Sequence, residues 1–289
     1  MGYITETSTV CGCNCLFGEE TRHPLVGVVS ADGQDEVFRC SDCYSVMMAS
    51  FPDGSRHLGR MRCDFSYATM QFRRPGKTVS TKNADKAAIL LFHPDIISCT
   101  PLGLAFGRHT FFGYAGDEAL HLSFHEAETA QRCIDGVKSE LRHGVDEFSK
   151  TLICNHIETL LNYSERFYAR QFITRHEVNT ALISRIDKAI DEYMAAGRAA
   201  TGTMPTAQDM APGLKVSAAY LDDLLRHETG KHTADYVSLH RIKTAKTMLM
   251  DHGLTTAEIS AALGFCSESC FNAFFKKITG HEPEEYRKT

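Results

Sequence analysis

The sequence predicts an α+β protein, with an antiparallel β-sandwich or barrel first, long helices behind it, and an all-α carboxyl-terminal region. Three observations carry this. Between residues 24 and 114, short apolar runs ("LVGVVS", "YSVMMASF", "YATMQF", "AAILLF") alternate with the turn signals "ADGQD", "PDGS" and "RRPGK" at strand-length intervals. From Ser123 the apolar period becomes helical. From Thr206 the chain states one short pattern twice.

Bulk composition bounds the function. The chain has 289 residues, 43% hydrophobic and 23% charged, with a net charge of −5. That describes a soluble globular chain of one large or two ordinary domains, with no global attraction to polyanions. Its densest apolar run, "AAILLF", is far short of the roughly 20 residues a membrane helix needs. The start "MGYITETSTVCG" lacks the basic and apolar regions of a secretory signal. Eleven cysteines, an odd count spread widely, then fit reduced thiols in a cytoplasmic protein better than a disulfide scaffold.

The helical part opens with a capping box, Ser123-x-x-Glu126. "AETAQRCIDGVKSEL" and "EFSKTLICNHIETLLNYSERFYARQF" follow as two long helices. In the second, Ile153, Ile157, Leu160, Leu161 and Ser164 form the stronger stripe. Leu152, His156, Thr159, Tyr163 and Phe167 form another possible stripe, and an apolar face as long as this helix carries must be covered by the β-region or by a second copy of the chain. "RQFITRHEVNTAL" is a polar junction. Beyond it, Leu182, Ile186, Ala189, Ile190 and Tyr193 open an amphipathic helix that stops at "MAAGRAATGTMP".

The repeat fixes the rest. Thr206-x-x-Asp209 and Thr255-x-x-Glu258 are capping signatures 49 residues apart, each starting a short helix. A turn follows, "GLKVS" in one copy and "LGFCS" in the other. Ser217 with Leu221 and Leu225, and Ser267 with Phe271 and Phe275, then place a cap and two inward positions on a second helix. A capped helix, a tight turn and a second capped helix make a helix-turn-helix, whose second helix can enter a major groove. Between the copies, "ADYVSLHRIKTAKTMLM" is one helix that would hold the two units about one DNA turn apart.

The stretches "YLDDLLRHETGKHTADYVSLHRIKTAKTML" and "TTAEISAALGFCSESCFNAFFKKITGHEPEEYR" resemble the DNA-binding domain of AraC/XylS-type transcription regulators. Upstream, "ETRHPLVGVV", "LLFHPDII", "FFGYAGDEALHLS" and "SKTLICNHIETLLNYSERFYARQFITR" follow the order of one branch of that family, through less diagnostic motifs. The resemblance implies a cupin-like domain over residues 1–175 for effector binding or dimerisation. It also implies a seven-helix double helix-turn-helix domain over residues 182–289. Partners that follow are double-stranded DNA, a small-molecule effector, a second copy of the chain and RNA polymerase, with no membrane.

Helical spacing turns Ala218, Ala219, Asp222 and Asp223 outward on the first reading helix, and Glu268, Ser269, Asn272 and Ala273 on the second. By resemblance the base-reading set is Ala219, Asp222, Asp223, Glu268, Ser269, Asn272 and Ala273. No Arg or Gln stands there. Asn272 suits adenine, and the carboxylates suit cytosine N4. Residues 182–289 hold 13 Lys and Arg against 14 Asp and Glu, so phosphate contact must be local. Candidates are Ser217, Lys231, His232, Ser267, Lys276, Lys277, Arg287 and Lys288. Arg241 is expected to brace the linking helix. Pro212-Gly213 interrupts the first helix of the first unit, which is expected to displace or weaken the first reader.

Three further groups need roles. Cys11, Cys13 and Cys15 ("CGCNC") with Cys40 and Cys43 ("CSDC") have the spacing of two thiolate hooks for Zn or another thiophilic metal, with Cys13 spare. A similar pair of hooks occurs in the zinc-bound repair domain of adaptive-response regulators. Alternation along a strand would instead point Cys11, Cys13 and Cys15 to one side, as a thiol cluster or plain packing, and redox sensing stays open. Cys266 and Cys270 fit packing better than half a metal site. His121 and His125 are separated by the Ser123 cap and do not share a face.

No nucleophile elbow, phosphate-binding loop, dinucleotide fingerprint or HExxH motif is present, so the sequence gives no enzyme and no certain cofactor. The expected function is a sequence-specific transcription regulator. The alternative is a ligand- or metal/thiol-sensing cupin-like module with weak DNA affinity.

Overall fold

The computed structural model describes residues 4–51, 57–251 and 253–287. The chain divides into two compact units, residues 1–176 and 177–289.

In the amino-terminal unit the order is β1 (Thr5–Thr7), α1 (Val10–Leu16), β2 (Val26–Ser30), β3 (Val37–Cys40), β4 (Tyr44–Ser50), β5 (Ala68–Arg73), β6 (Thr78–Ser80) and β7 (Lys86–Phe92). Then come α2 (Pro94–Ile97), α3 (Pro101–Ala105), β8 (Leu120–Leu122), α4 (Phe124–Glu140) and α5 (Ser149–Thr174). Strands β2-β7-β4-β5-β8 form an antiparallel sheet, and β1-β3-β6 form a smaller one. Val46, Met47, Met70, Phe72, Ile89, Leu90 and Leu91 are buried, so the large sheet is covered on both faces.

The expected α+β class, with sheets first and helices after, is what the structure has. The closed barrel is not: among the described residues the sheets stay open. The physical reason shows at β8, where side chains of α5 do the work of a closing strand. Gln171 accepts from the His121 N–H at 2.8 Å and donates to the Ala119 carbonyl at 3.1 Å. Arg170 donates to the His121 carbonyl at 2.7 Å. An edge satisfied this way presents no ladder to extend.

α5 buries Ile153, Ile157, Leu160, Leu161 and Ser164, the stronger stripe of the sequence, while Leu152 and Tyr163 stay 41% and 37% exposed. Just past its end, Arg175 reaches back to Asp64 through two bonds of 2.9 and 2.6 Å, both partners buried. Removing either partner would strand a buried charge.

The carboxyl-terminal unit is helical: α6 (His176–Ala195), α7 (Ala207–Leu214), α8 (Ala218–Thr229), α9 (Thr233–Met250), α10 (Thr256–Ala262), α11 (Glu268–Thr279) and α12 (Pro283–Arg287). α6 opens at His176, six residues before Leu182. Tyr236 donates to Asp187 at 2.6 Å, and His240 sits 3.1 Å from Asp187 and 3.3 Å from Asp191, which fastens α9 to α6. Ile242, Ala245, Leu249, Ile259, Leu263, Phe271 and Phe275 form the core of the second repeat. The two phenylalanines, fully buried, each contribute on the order of 2–3 kcal/mol.

Candidate nucleic-acid interface

Four caps build the two helix-turn-helix units, all at the expected residues. Thr206 and Thr255 open α7 and α10 with reciprocal capping boxes to Asp209 and Glu258. Ser217 and Ser267 cap α8 and α11, each accepting the N–H three residues on at 3.1 Å. The turns differ. Before α11 it uses Gly264 at φ 72°, where an added Cβ would lie 1.9 Å from the Ala199 carbonyl oxygen. Before α8 it uses Lys215 at φ 60°.

Pro212 lies inside α7, which nevertheless runs on to Leu214. α8 follows with its cap intact, so the proline does not prevent the first reader from forming. The proline withdraws one N–H, and the following turn closes through the Val216 N–H on the Ala211 carbonyl at 3.2 Å.

The reading helices differ in what they leave open. On α8, Asp223 is only 5% exposed and pairs with Arg226 at 3.1 Å. Asp222 turns its carboxylate to the start of α9. It accepts from the Thr233 N–H and hydroxyl, both at 2.7 Å, and lies 2.7 Å from His232. These bonds hold the Asp222 carboxyl below its usual pKa against the cost of burial. The expectation that both aspartates read bases therefore needs correction: Asp222 supplies the cap of α9 and Asp223 is packed inside. Ala218 and Ala219 remain, half-buried.

α11 leaves a wider face. Phe271 and Phe275 point inward, while Glu268, Ser269 and Ala273 are exposed. Glu268 accepts a hydrogen bond from Thr256, which ties the reader to α10. Asn272 is half-buried with its amide oxygen turned inward and unpartnered among the described residues. To accept from adenine, that amide must rotate outward.

Of the expected phosphate contacts, Lys277 is exposed and Lys231 half-buried, while Lys276 is held by Glu282 at 2.7 Å. Arg287 donates to the Leu254 carbonyl. Lys288 lies outside the described residues. Arg241 donates to the Leu263 carbonyl at 2.7 Å with its guanidinium 3.4 Å above the Phe265 ring, the bracing expected of it.

A helix-turn-helix domain model matches residues 210–289, the stretch that holds both readers. The chain is 26% identical over 160 residues to an uncharacterized HTH-type transcriptional regulator of Bacillus subtilis, covering 55% of this chain and 58% of that protein. It is 26% identical over 163 residues to a protein of Streptomyces lividans described as an AraC-like transcription regulator, covering 56% and 52%. Residues 210–289 therefore carry a helix-turn-helix domain, and the chain is similar to AraC-like transcription regulators. It spans just over half the length of these two relatives. Among solved structures, the C-terminal domain of AraT from Geobacillus stearothermophilus matches 37% of this chain and 84% of its own, with 24% identity and a TM-score of 0.32.

In the amino-terminal unit, the cysteines are not arranged as expected. Thr9 accepts the Gly12 N–H at 3.1 Å and starts a helix, so Cys11, Cys13 and Cys15 follow a helical period rather than a strand's. Cys11 and Cys15 are exposed, whereas Cys13 is buried with Cys40 and Cys43. The residue left spare in the sequence reading is thus the one that joins the pair. Cys13 and Cys43 hydrogen-bond to Cys40, which pulls the Cys40 thiol down and pushes the other two up. The two-hook metal site is therefore corrected: α1 points Cys11 and Cys15 away from Cys40 and Cys43. Among the described residues, no group of three or more His, Cys, Asp or Glu is arranged to hold a metal.

The two histidines lie apart, as expected, and one further correction concerns cysteine. His121 is fully buried beside the Asp64–Arg175 pair, while His125 is exposed. Cys266 and Cys270 are both exposed, not packed. A cavity of about 900 Å³ opens between the large sheet and α4, lined among others by Ser30, Tyr67, Lys86, Gln131 and Arg132. Nothing in the sequence pointed to it, because sheet residues and α4 meet only in the fold.

Proposed function

We propose that the chain is a sequence-specific DNA-binding transcription regulator. In this reading residues 182–289 bind duplex DNA, and residues 1–175 bind a small effector and dimerise. The observation that supports it most is the pair of capped reading helices joined by one continuous helix, α9. The second, α11, presents Ser269, Ala273 and Lys277 on an open face. An open major-groove helix beside a lysine is what base reading with phosphate anchoring requires.

For the effector, the cavity against the large sheet is the candidate, since its mixed lining of Lys86, Arg132, Asp32 and Glu128 suits a small polar molecule. For dimerisation, the candidate is the outer face of α5, where Leu152 and Tyr163 remain exposed. Among the described residues no helix is long and apolar enough to cross a membrane, in keeping with a cytoplasmic role.

Selection of the purified full chain against random duplexes tests the reading. Enrichment of one motif is the expected result. Salt-labile binding to every sequence alike would overturn it in favour of a sensing module with weak DNA affinity, the reading favoured by the engagement of Lys276 and Arg287 within the protein.

A further inference from the structure

The exposed pair on the second reading helix has a geometry of its own. Cys266 stands in the turn before the Ser267 cap, and Cys270 is the third residue of α11. Their sulfurs lie 2.8 Å apart, with the Cys266 S–H directed at Cys270. Both are exposed and neither is in a disulfide. A bond of about 2.05 Å would therefore need the sulfurs to close by less than about 1 Å.

We propose that Cys266 and Cys270 form a dithiol modification site that reacts with a low-molecular-weight disulfide and closes an intrachain disulfide across the start of the reading helix. Cys270 is the attacking thiol. The hydrogen bond from Cys266, together with one from Ser267, lowers its pKa, and it sits in the first turn of a helix, where a thiolate is favoured. The paired Cys266 thiol is pushed up, which suits the resolving role.

The exchange balances with glutathione disulfide as the oxidant. The Cys270 thiolate attacks one glutathione sulfur, forming a mixed disulfide and releasing one glutathione thiolate. Cys266 gives its proton to solvent and attacks the Cys270 sulfur, releasing the second glutathione. Two protein thiols lose two electrons, and one disulfide is reduced to two thiols.

The placement gives the bond a consequence. Cys270, Ala273 and Lys277 follow one another at helical spacing on the exposed face of α11, and Ser269 adjoins them. A disulfide removes two S–H groups from that face and ties the turn to the helix. Duplex affinity should then fall by about tenfold, the scale of one lost base contact. This consequence rests on the DNA-reading assignment; the disulfide does not.

Peptide mapping separates the two. The full chain is treated with glutathione disulfide, blocked with N-ethylmaleimide and digested with trypsin. Both cysteines fall on one peptide, residues 247–276, which holds no other cysteine. The expected result is that peptide two hydrogens lighter and free of maleimide, and a glutathione adduct on Cys270 in Cys266→Ser. Maleimide on both cysteines of the treated wild type would overturn the site.

Duplex binding of the same treated and untreated full chains, taken before blocking and digestion, is then compared. Affinity lost on oxidation in the wild type and kept in the Cys266→Ser, Cys270→Ser double variant, which forms neither the disulfide nor the adduct there, supports the switch. Equal affinity of both wild-type forms for a selected duplex overturns it. If the reduced chain selects no duplex, the DNA-reading assignment and the switch built on it both fall, while the mapping still decides the disulfide.

Discussion

His109 and His121 are both enclosed in the amino-terminal unit, and burial holds each imidazole down to about 4. Arg108 adds to the effect at His109. At His121, Asp64 and the Leu58 backbone oppose burial while Arg175 and Arg60 reinforce it. A histidine whose folded pKa lies below its unfolded value is neutral in the fold. Between about 6.5 and 4 the unfolded chain therefore binds more protons, and stability that is complete above 6.5 is lost as pH falls toward 4. From pH 7 to pH 5 the full chain should lose on the order of 2 kcal/mol per histidine, read from denaturant midpoints. Asp64, its pKa lowered by Arg175 although burial opposes, stays ionised throughout that window and adds nothing. His109→Phe, at a site already lined by Phe106 and Phe111, should flatten the slope. An unaltered slope in that variant would remove His109 from the account. A second pair of substitutions separates fold from reading. Asp222→Ala should cost about 1 kcal/mol of stability, the worth of a helix cap, and leave base preference unchanged. Asn272→Ala should relax preference at one base position, by roughly 1–3 kcal/mol, with little effect on unfolding. Spacing alone cannot make this distinction. Asp222 and Asn272 occupy matching places in the repeat, and only the fold brings Thr233 under one of them.

At the scale of elements, local signals were legible and pairings between distant residues were not. The caps at Ser123, Thr206, Ser217, Thr255 and Ser267 each depend on residues within three positions, and all five stand where the spacing put them. By contrast, "CGCNC" suits a strand or a helix by pattern, and the Thr9 cap that decides for α1 lies outside the motif. Its contact with Cys40 and Cys43 spans more than twenty residues, so no local rule could select Cys13 as the partner. Open sheet against closed barrel was equally hidden, since it turns on α5 side chains reaching β8 fifty residues away. α5 carries the clearest prediction at this scale. Its inner stripe is buried, but Leu152 and Tyr163 remain open on one side, as expected of a face reserved for a second copy. Leu152→Asp should shift the purified chain from dimer to monomer in sedimentation without lowering its melting temperature, because the site is exposed. A wild type that sediments as a monomer would place dimerisation elsewhere or remove it.

Across the whole molecule, charge constrains how DNA could be held. The chain carries −5 overall, and residues 182–289 carry 13 basic against 14 acidic side chains. Two cations offered to phosphates are engaged by the protein itself: Lys276 with Glu282 and Arg287 with a carbonyl. Lys231 and Lys277 remain from the expected set. With each neutralised phosphate adding about −0.9 to the slope of log affinity against log salt, two contacts per chain give about −2, and a dimer about −4. Specificity would then depend on base contacts and on how an effector shifts the population able to make them, which requires unequal effector affinity in the two states. Fluorescence anisotropy on a selected duplex, titrated between about 50 and 200 mM salt, should return that shallow slope. Lys277→Ala should lower its magnitude by about one per chain while weakening all duplexes alike. A slope approaching −10 would demand more phosphate contacts than these side chains can make, and would shift the binding surface away from the face of α11.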